Sequence, residues 1–210
     1  MNLLRLKEAE ESFLHRYPGG FENPEIIAIR MKRHNVDKMI AFTQECFSKR
    51  NFKFPDQTVQ NMVMVVSRSS VIARFEKPKF REFTDSLFPQ EKYLLARGLE
   101  KLLYGNEQSG FETMLDLLKS RKLAKWSLMT ICQTYFYPQQ AVFVKPTTTK
   151  GIIQYFELEN LQYRPTPSWT FYEAYRSRIH EMKSKVDKSL SPTNVAFSWF
   201  LLLSFRGNAF

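Results

Sequence analysis

The sequence predicts an all-α fold, with about ten helices packed into one globular bundle. Helix-start and helix-stop residues divide the chain into segments of helical length. Seven Gly and ten Pro in 210 residues are too few for the many tight turns of an all-β fold. The one short run with strand composition is residues 141–144. Because it has no convincing partner, we interpret it as an extended connection.

The first half of the chain contains strong helix boundaries. The Pro-Gly-Gly run at 18–20 ends an opening helix, and Asn23 is placed to cap a second helix whose first residue is Pro24. The segment 75–88 is broken by Pro78 and has no clean helical period, so we expect it to be irregular. The helices predicted in this half begin near Leu3, Asn23, Asn35, Asp56 and Pro89.

The second half has comparable boundaries. Ser109 and Glu112 have the spacing of a capping box, which predicts that a helix begins there. The closing apolar stretch, residues 195–205, is about half the length that spans a bilayer, so we expect a buried helix and no membrane partner. The other helices predicted in this half are residues 124–137, 146 to about 157, 168 to about 188, and 193–205.

The domain organisation is expected to be simple. A chain of 210 residues fits one large domain or two small ones. We predict a single all-α domain over 1–210, or alternatively two helical subdomains, 1–80 and 81–210. The core of the C-terminal part is expected to gather around the three tryptophans, Trp126, Trp169 and Trp199.

The distribution of charge is the feature that points most directly to a partner. The chain has a net charge of +10, and residues 117–156 contain no Asp or Glu, although 21 acids in 210 residues would place about four there. Five of the ten excess positive charges lie in residues 121–150. Concentrated positive charge attracts polyanions such as a nucleic-acid backbone.

Four basic residues precede the helix predicted at 124–137. A basic turn beside a helix N-terminus suits a phosphodiester backbone, although cations are slightly unfavourable at that end of the helix dipole. A solvated basic face accounts for the same residues, so both interpretations stay open. The four residues are Lys119, Arg121, Lys122 and Lys125.

A second basic segment surrounds the start of the helix predicted at Pro146. The hydroxyl residues Thr147, Thr148 and Thr149 follow the proline, and Lys145 and Lys150 flank them. Unpaired N–H groups at such a helix end, together with the lysines, are able to hold a phosphate. Capping of the helix by its own threonines is the commoner role of such residues. A Walker-type loop is excluded because its glycine–lysine order is absent.

The residues 118–127 and 142–147 together resemble the helix-hairpin-helix DNA glycosylases. In that family a hairpin binds the DNA backbone, and an apolar helix and a short Phe/Val-rich segment lead to a catalytic aspartate. Here Ser120 and Lys122 stand where the hairpin glycines are expected, and Lys145 stands at the place of the aspartate. The resemblance therefore implies a helical DNA-binding shape without glycosylase chemistry. The same segment is also similar to an uncharacterised group of bacterial helical proteins, which supplies no function.

No pattern predicts a catalytic, metal or cofactor site. His15, His34 and His180 lie far apart, and none belongs to a pair with metal-ligand spacing. Aromatic and basic residues interleave near Trp169, in a pattern typical of a buried helical face more often than of base stacking. We expect no catalytic residue, no metal and no cofactor.

Two cysteines and the N-terminal residues bear on the location of the protein. Cys46 and Cys132 are too few for a disulfide framework, so we interpret them as reduced thiols. The first twenty residues carry charges from Arg5 onward and lack the apolar region of a secretory signal. We expect a cytoplasmic protein, of bacterial origin.

Three functions follow as expectations. The leading one is a non-catalytic nucleic-acid-binding protein that contacts backbone phosphates through the two basic segments. The alternatives are a helical subunit that docks an acidic protein partner, and an enzyme that acts on a phosphorylated substrate. Exposed Trp or Tyr beside the basic residues would favour base stacking, whereas a contiguous exposed Phe/Leu patch would favour a protein interface.

Overall fold

The structure, a computed structural model, describes residues 1–33 and 35–206. This part of the chain contains eleven α-helices, three short 3₁₀ helices and no β-strand. The described chain is 72% helical, which confirms the all-α prediction. His34 lies outside the described residues. The helices are α1 (Leu3–Arg16), α2 (Pro24–Arg33), α3 (Val36–Cys46), α4 (Pro55–Arg68), α5 (Glu76–Asp85), α6 (Pro89–Tyr104), α7 (Glu107–Ser120), α8 (Trp126–Phe136), α9 (Pro146–Tyr155), α10 (Trp169–Lys183) and α11 (Asn194–Arg206).

Several helices begin at the residues that the sequence indicates. The side-chain oxygen of Asn23 accepts a hydrogen bond from the Glu25 N–H at 3.0 Å. Asn35 accepts one from the Lys38 N–H at 3.2 Å, and Ser168 caps α10. Each cap satisfies an N–H group that has no partner within its own helix, so these boundaries follow from local chemistry.

Several predicted boundaries are wrong. The segment 75–88, expected to be irregular, contains α5, because Pro78 lies in the first turn, where no backbone N–H is needed. Helix α7 begins before the predicted capping box, because Asn106 accepts from the Ser109 N–H at 2.8 Å and so starts the helix three residues earlier. Helix α10 ends at Lys183, short of 188.

Helix α8 lies at the centre of the fold and is buried on every side. All eleven of its residues are buried, so the helix expected at 124–137 is shorter than expected and has no solvent-facing side. The segment 141–144 packs against α8 in an extended conformation without forming a strand. Its backbone bonds to side chains: the Val144 N–H donates to Thr130 Oγ1 at 3.1 Å, and the Val142 N–H donates to the Tyr172 hydroxyl at 3.2 Å.

The tryptophans occupy two separate parts of the core. Trp126 and Trp169 both pack against Phe111, with ring centroids 6.4 Å and 5.7 Å away. Trp199 packs instead against Phe21, at 5.6 Å. The expected grouping of all three tryptophans is therefore wrong for Trp199, because α11 packs against the N-terminal helix α1. The division into two subdomains stays a prediction.

Helices α6 and α7 form the most extensive helix contact among the described residues. Gly110 makes this contact possible, because a Cβ atom there would lie 2.3 Å from the Leu102 backbone nitrogen and 2.5 Å from the Gly98 carbonyl oxygen. Non-bonded heavy atoms do not approach so closely, so the two backbones touch where a side chain would stand. This pair of helices fixes the position of the turn that follows α7.

Candidate nucleic-acid interface

The basic turn, residues 119–125, connects α7 to α8 and is held by its own backbone. The Leu123 N–H donates to the Leu118 carbonyl at 2.8 Å, and the Lys122 N–H donates to the Lys119 carbonyl at 3.0 Å. These two bonds close the end of α7 and place Lys122 in the left-handed region, with φ of 56°. Leu123 is buried beneath the turn, so the neighbouring lysine side chains point into solvent.

The basic turn is richer in positive charge than any acid near it can neutralise. Arg121 forms an ion pair with Glu91 of α6, at 3.3 Å. Lys119, Lys122 and Lys125 are exposed and form no ion pair with any described residue. Residues 117–156 contain no acid, but an acid from another helix, Glu91, reaches their surface. Within the described chain, the three lysines still have no acidic partner.

The N-terminus of α8 already has a negative charge beside it. The carboxylate of Glu76, at the start of α5, accepts a hydrogen bond from the Ser127 hydroxyl at 2.8 Å. A carboxylate at a helix N-terminus interacts favourably with the helix dipole and offsets the unfavourable position of Lys125. We therefore assign no phosphate site to this helix end, and the basic turn itself is the surface that faces solvent.

Two exposed phenylalanines belong to segments that contact the basic turn and the start of α8. The Phe88 N–H donates to Glu91 at 2.9 Å, and the same carboxylate pairs with Arg121, so Phe88 lies beside one end of the turn. Phe75 precedes Glu76, whose carboxylate accepts from Ser127 in the first turn of α8. The side chains of Phe88 and Phe75 are 70% and 65% exposed. Neither is a candidate from the sequence, because a lone Phe beside a proline or glutamate carries no signal of its own.

The start of α9 keeps only part of the predicted phosphate-binding set. Thr147 is exposed and Thr148 is half-buried, and their N–H groups make no hydrogen bond to a described residue. The expectation that Thr149 binds phosphate is wrong. Its side chain is buried beside Tyr175, and its N–H donates to the Lys145 carbonyl at 2.8 Å. Its hydroxyl points into the core because position 149 lies on the inner face of the helix.

The two lysines that flank α9 lie in different surroundings. The Lys150 ammonium is 5.1 Å from the centroid of the Tyr163 ring, a cation–π distance. Trp126 donates from its indole N–H to the Arg164 carbonyl at 2.8 Å, which brings the segment 163–164 beside the basic turn. Lys150 therefore contacts the segment that Trp126 also contacts, and exposed Arg164 adds a charge that the acid-free window did not include. Lys145 lies at the mouth of a cavity described below.

The aromatic residues of α10 belong to the core, as the sequence pattern indicates. Trp169, Tyr172 and Tyr175 are buried. Burial raises the pKa of Tyr172 to about 12 and also raises the pKa of Tyr175. Arg176 is held by Glu107 at 2.5 Å and lies over the Trp169 ring at 5.5 Å, so this arginine is already paired. We exclude α10 from the candidate interface.

No cluster of three or more His, Cys, Asp or Glu side chains occurs among the residues that the structure describes. His180 contacts the Gln140 carbonyl oxygen through Nε2, at 2.7 Å. Cys46 and Cys132 are buried free thiols, and burial raises the pKa of both. No described helix is long and apolar enough to cross a membrane.

Comparison of the chain with protein-family models, with curated proteins and with solved structures finds no match. The resemblance to the helix-hairpin-helix DNA glycosylases therefore rests on the residues quoted for it alone. The basic turn and the start of α9 are the surfaces from which a function has to be argued.

Proposed function

We propose that this protein binds single-stranded nucleic acid without catalysing a reaction, through the basic turn and the adjoining start of α9. The observation that carries the proposal is the combination of three exposed lysines, unpaired within the described chain, with two exposed phenylalanines whose segments contact the basic turn and the start of α8. The lysines are Lys119, Lys122 and Lys125, and the aromatic residues are Phe75 and Phe88.

The lysines supply the sequence-independent part of the binding. Each one that neutralises a phosphate releases condensed counterions, so affinity falls as the salt concentration rises. Lys150 contacts Tyr163, and the neighbouring Arg164 carbonyl accepts from Trp126, so this proposal extends the path of the backbone to Lys150 and Arg164. The N–H groups of Thr147 and Thr148 add hydrogen-bond donors at the start of α9.

The phenylalanines favour a single strand over a duplex. Unpaired bases stack on exposed aromatic rings, and each stacked base contributes about 1–3 kcal/mol by alanine substitution. The bases of a duplex already stack on one another and offer no free face to Phe75 or Phe88. A single strand is therefore the form that uses both the charges and the rings.

A second function, docking of an acidic protein partner, is favoured by one feature of the same surface. The exposed rings beside the basic turn are Phe side chains, whereas Trp126 is buried and Tyr163 is only partly exposed. Apolar side chains with a charged rim are also typical of protein interfaces. The two functions differ in their response to oligonucleotides, which the following experiment measures.

A cytoplasmic location is proposed with this function. The two buried free thiols, Cys46 and Cys132, support it, because reducing compartments keep cysteines in this form.

The test is fluorescence anisotropy with labelled single-stranded and double-stranded DNA and RNA, across a series of salt concentrations. We expect micromolar or tighter binding to single strands at physiological salt, and weaker binding to duplexes. The variant Arg121→Glu, Lys122→Glu, Lys125→Glu should reduce the affinity strongly. The slope of log affinity against log salt should become shallower by about 0.7 for each phosphate that the variant no longer neutralises.

A matched control variant is Lys49→Glu, Arg50→Glu, Lys53→Glu. These exposed residues carry the same charges, and they lie at the opposite end of α6, where Phe52 packs against Tyr104. The control should keep its affinity. Equal reductions in both variants, with both still folded, would show that only net charge matters and would overturn the proposal.

The double variant Phe75→Ala, Phe88→Ala separates the two functions. A reduced single-strand affinity with an unchanged salt slope supports base stacking. Weak binding that is alike for all four nucleic acids and disappears at modest salt would overturn the nucleic-acid proposal. It would favour docking of an acidic protein partner.

A further inference from the structure

A cavity of about 170 Å³ lies where α9 and α11 meet the loop that follows α4. Its walls are mostly apolar, and Phe21, Phe143, Trp199 and Leu202 form much of them. Lys145 and Thr148 also line it, and because Lys145 is exposed, its side chain stands at the mouth. The lining among the described residues includes no Asp, Glu or His.

The two ends of this cavity differ in chemistry. The inner walls offer mainly van der Waals contact to an apolar group, and the hydroxyls of Ser70, Thr193 and Ser198 are the few polar groups among them. The mouth offers the ammonium of Lys145 and the N–H group of Thr148. The N–H groups of Thr148 and of neighbouring Thr147 have no hydrogen-bond partner among the described residues. With Lys145 as the residue preceding α9, the helix dipole also favours a negative charge at this point.

We propose that the cavity binds a small amphipathic carboxylate, with its apolar part inside and its carboxylate at Lys145 and the start of α9. An apolar cavity of about 150 Å³ is known to hold benzene, so this volume suits a phenyl ring or a chain of about six carbons. A neutral apolar molecule fills the cavity but forms no ion pair with Lys145 at the mouth. A carboxylate without an apolar part matches only the mouth.

This site shares the N–H groups at the start of α9 with the proposed nucleic-acid interface, but it uses no residue of the basic turn. The cavity contacts neither Lys122 nor Lys125, and its ligand does not need the exposed phenylalanines. Failure of either proposal therefore leaves the other one standing.

The experiment is a titration followed by two-dimensional NMR of the intact protein, with hexanoate, hexanamide and acetate as probes. Hexanoate should shift the resonances of Thr148 and Trp199 at sub-millimolar to millimolar concentration. Hexanamide has the same chain without the charge and should bind about tenfold more weakly, because it cannot form the charge-assisted hydrogen bond. Acetate should produce no saturable shift at Trp199.

Two variants locate the contacts. Lys145→Gln should remove the preference for hexanoate over hexanamide, while Lys150→Gln, further along α9 and outside the cavity lining, should keep it. Ala196→Leu should fill part of the cavity and weaken both ligands. If Ala196→Leu does not fold, the comparison of the two lysine variants decides.

Equal affinity for hexanoate and hexanamide in the native protein would overturn the proposal. The same conclusion follows if hexanoate causes no saturable shift, or if Lys145→Gln retains the full preference for the carboxylate.

Discussion

Helix α8 directly follows the basic turn in the chain, but α8 is buried in the core and the lysines of the turn are exposed to solvent. Every residue of α8 is buried, and none of them carries a charge. In the basic turn just before it, Lys119, Lys122 and Lys125 are all exposed. The change from solvent to core takes place between Lys125 and Trp126.

The contrast shows that the long acid-free window in the sequence has two different causes. In α8 and in the segment 141–144, acidic residues are absent because an unpaired buried carboxylate is strongly unfavourable. In the basic turn, at residues 139–140 and on the outer face of α9, the absence describes a surface. Acids from elsewhere in the chain then reach that surface, as Glu91 and Glu76 do. A charge pattern along the sequence therefore overstates the charge density in space.

The largest expected difference between the two regions is in stability. Ile131→Ala, in the middle of α8, should lower the free energy of unfolding by about 2–5 kcal/mol, because Ile131 is fully buried and its truncation leaves a cavity. Lys125→Ala should change it by less than about 0.5 kcal/mol. Urea unfolding of both variants measures the contrast. A decrease below about 1 kcal/mol for Ile131→Ala would contradict the central position of α8.

The second expected effect concerns alkaline pH. Burial raises the pKa of Cys132 in α8 from its ordinary value near 9 to about 12. The neutral thiol therefore stabilises the folded state below pH 9, and this contribution is lost as the pH rises from 9 to 12. Each such group contributes a slope of at most about 1.4 kcal/mol per pH unit.

The Cys132→Ala variant isolates this contribution. Its free energy of unfolding should fall less steeply than that of the native protein between about pH 9 and 10, before the buried tyrosines begin to ionise in the unfolded chain. Lys122→Ala, in the exposed turn, should leave the slope unchanged. Unfolding curves at several pH values measure the slopes, and identical slopes for Cys132→Ala and the native protein would contradict the assignment.

The smallest expected effect is a change in the stability of the basic turn. A substitution there should raise the free energy of unfolding while it weakens nucleic-acid binding. Lys122 adopts a left-handed conformation, which a glycine occupies at no steric cost. Lys122→Gly should raise the free energy of unfolding by up to about 1 kcal/mol while weakening single-strand binding. Lys119→Gly, in the last turn of α7, removes the same charge but should lower stability by about 1 kcal/mol.

Thermal unfolding and anisotropy on this pair of variants supply both measurements. Stabilisation by Lys122→Gly with an unchanged affinity would show that Lys122 does not contact the nucleic acid.

The helices can be predicted from the sequence wherever a local signal decides the boundary. Asn23, Asn35 and Ser168 cap their helices as expected, because a cap depends on three or four neighbouring residues. The irregular segment expected around Pro78 is wrong because a proline breaks a helix only in its interior, and here it lies in the first turn. The start of α7 is ambiguous in the sequence because two possible caps, Asn106 and Ser109, lie three residues apart.

The candidate interface can be predicted only in part, because it depends on tertiary packing. The lysines of the basic turn are exposed as expected, since charged side chains in a turn seldom pack inside. No sequence pattern shows that Glu91 reaches Arg121, that Thr149 points inward, or that Phe75 and Phe88 stand beside the turn. Those relations join residues that are distant in the chain.

The contact at Gly110 supplies a criterion for recognising distant relatives. Because the backbones of α6 and α7 touch there, any chain that keeps this pair of helices must keep a residue without a side chain at that position. Surface lysines, by contrast, can be exchanged or moved without altering the architecture. An ancestral link to this protein should therefore be sought in a glycine of α7 that faces a second glycine of α6, before any likeness in charge is considered.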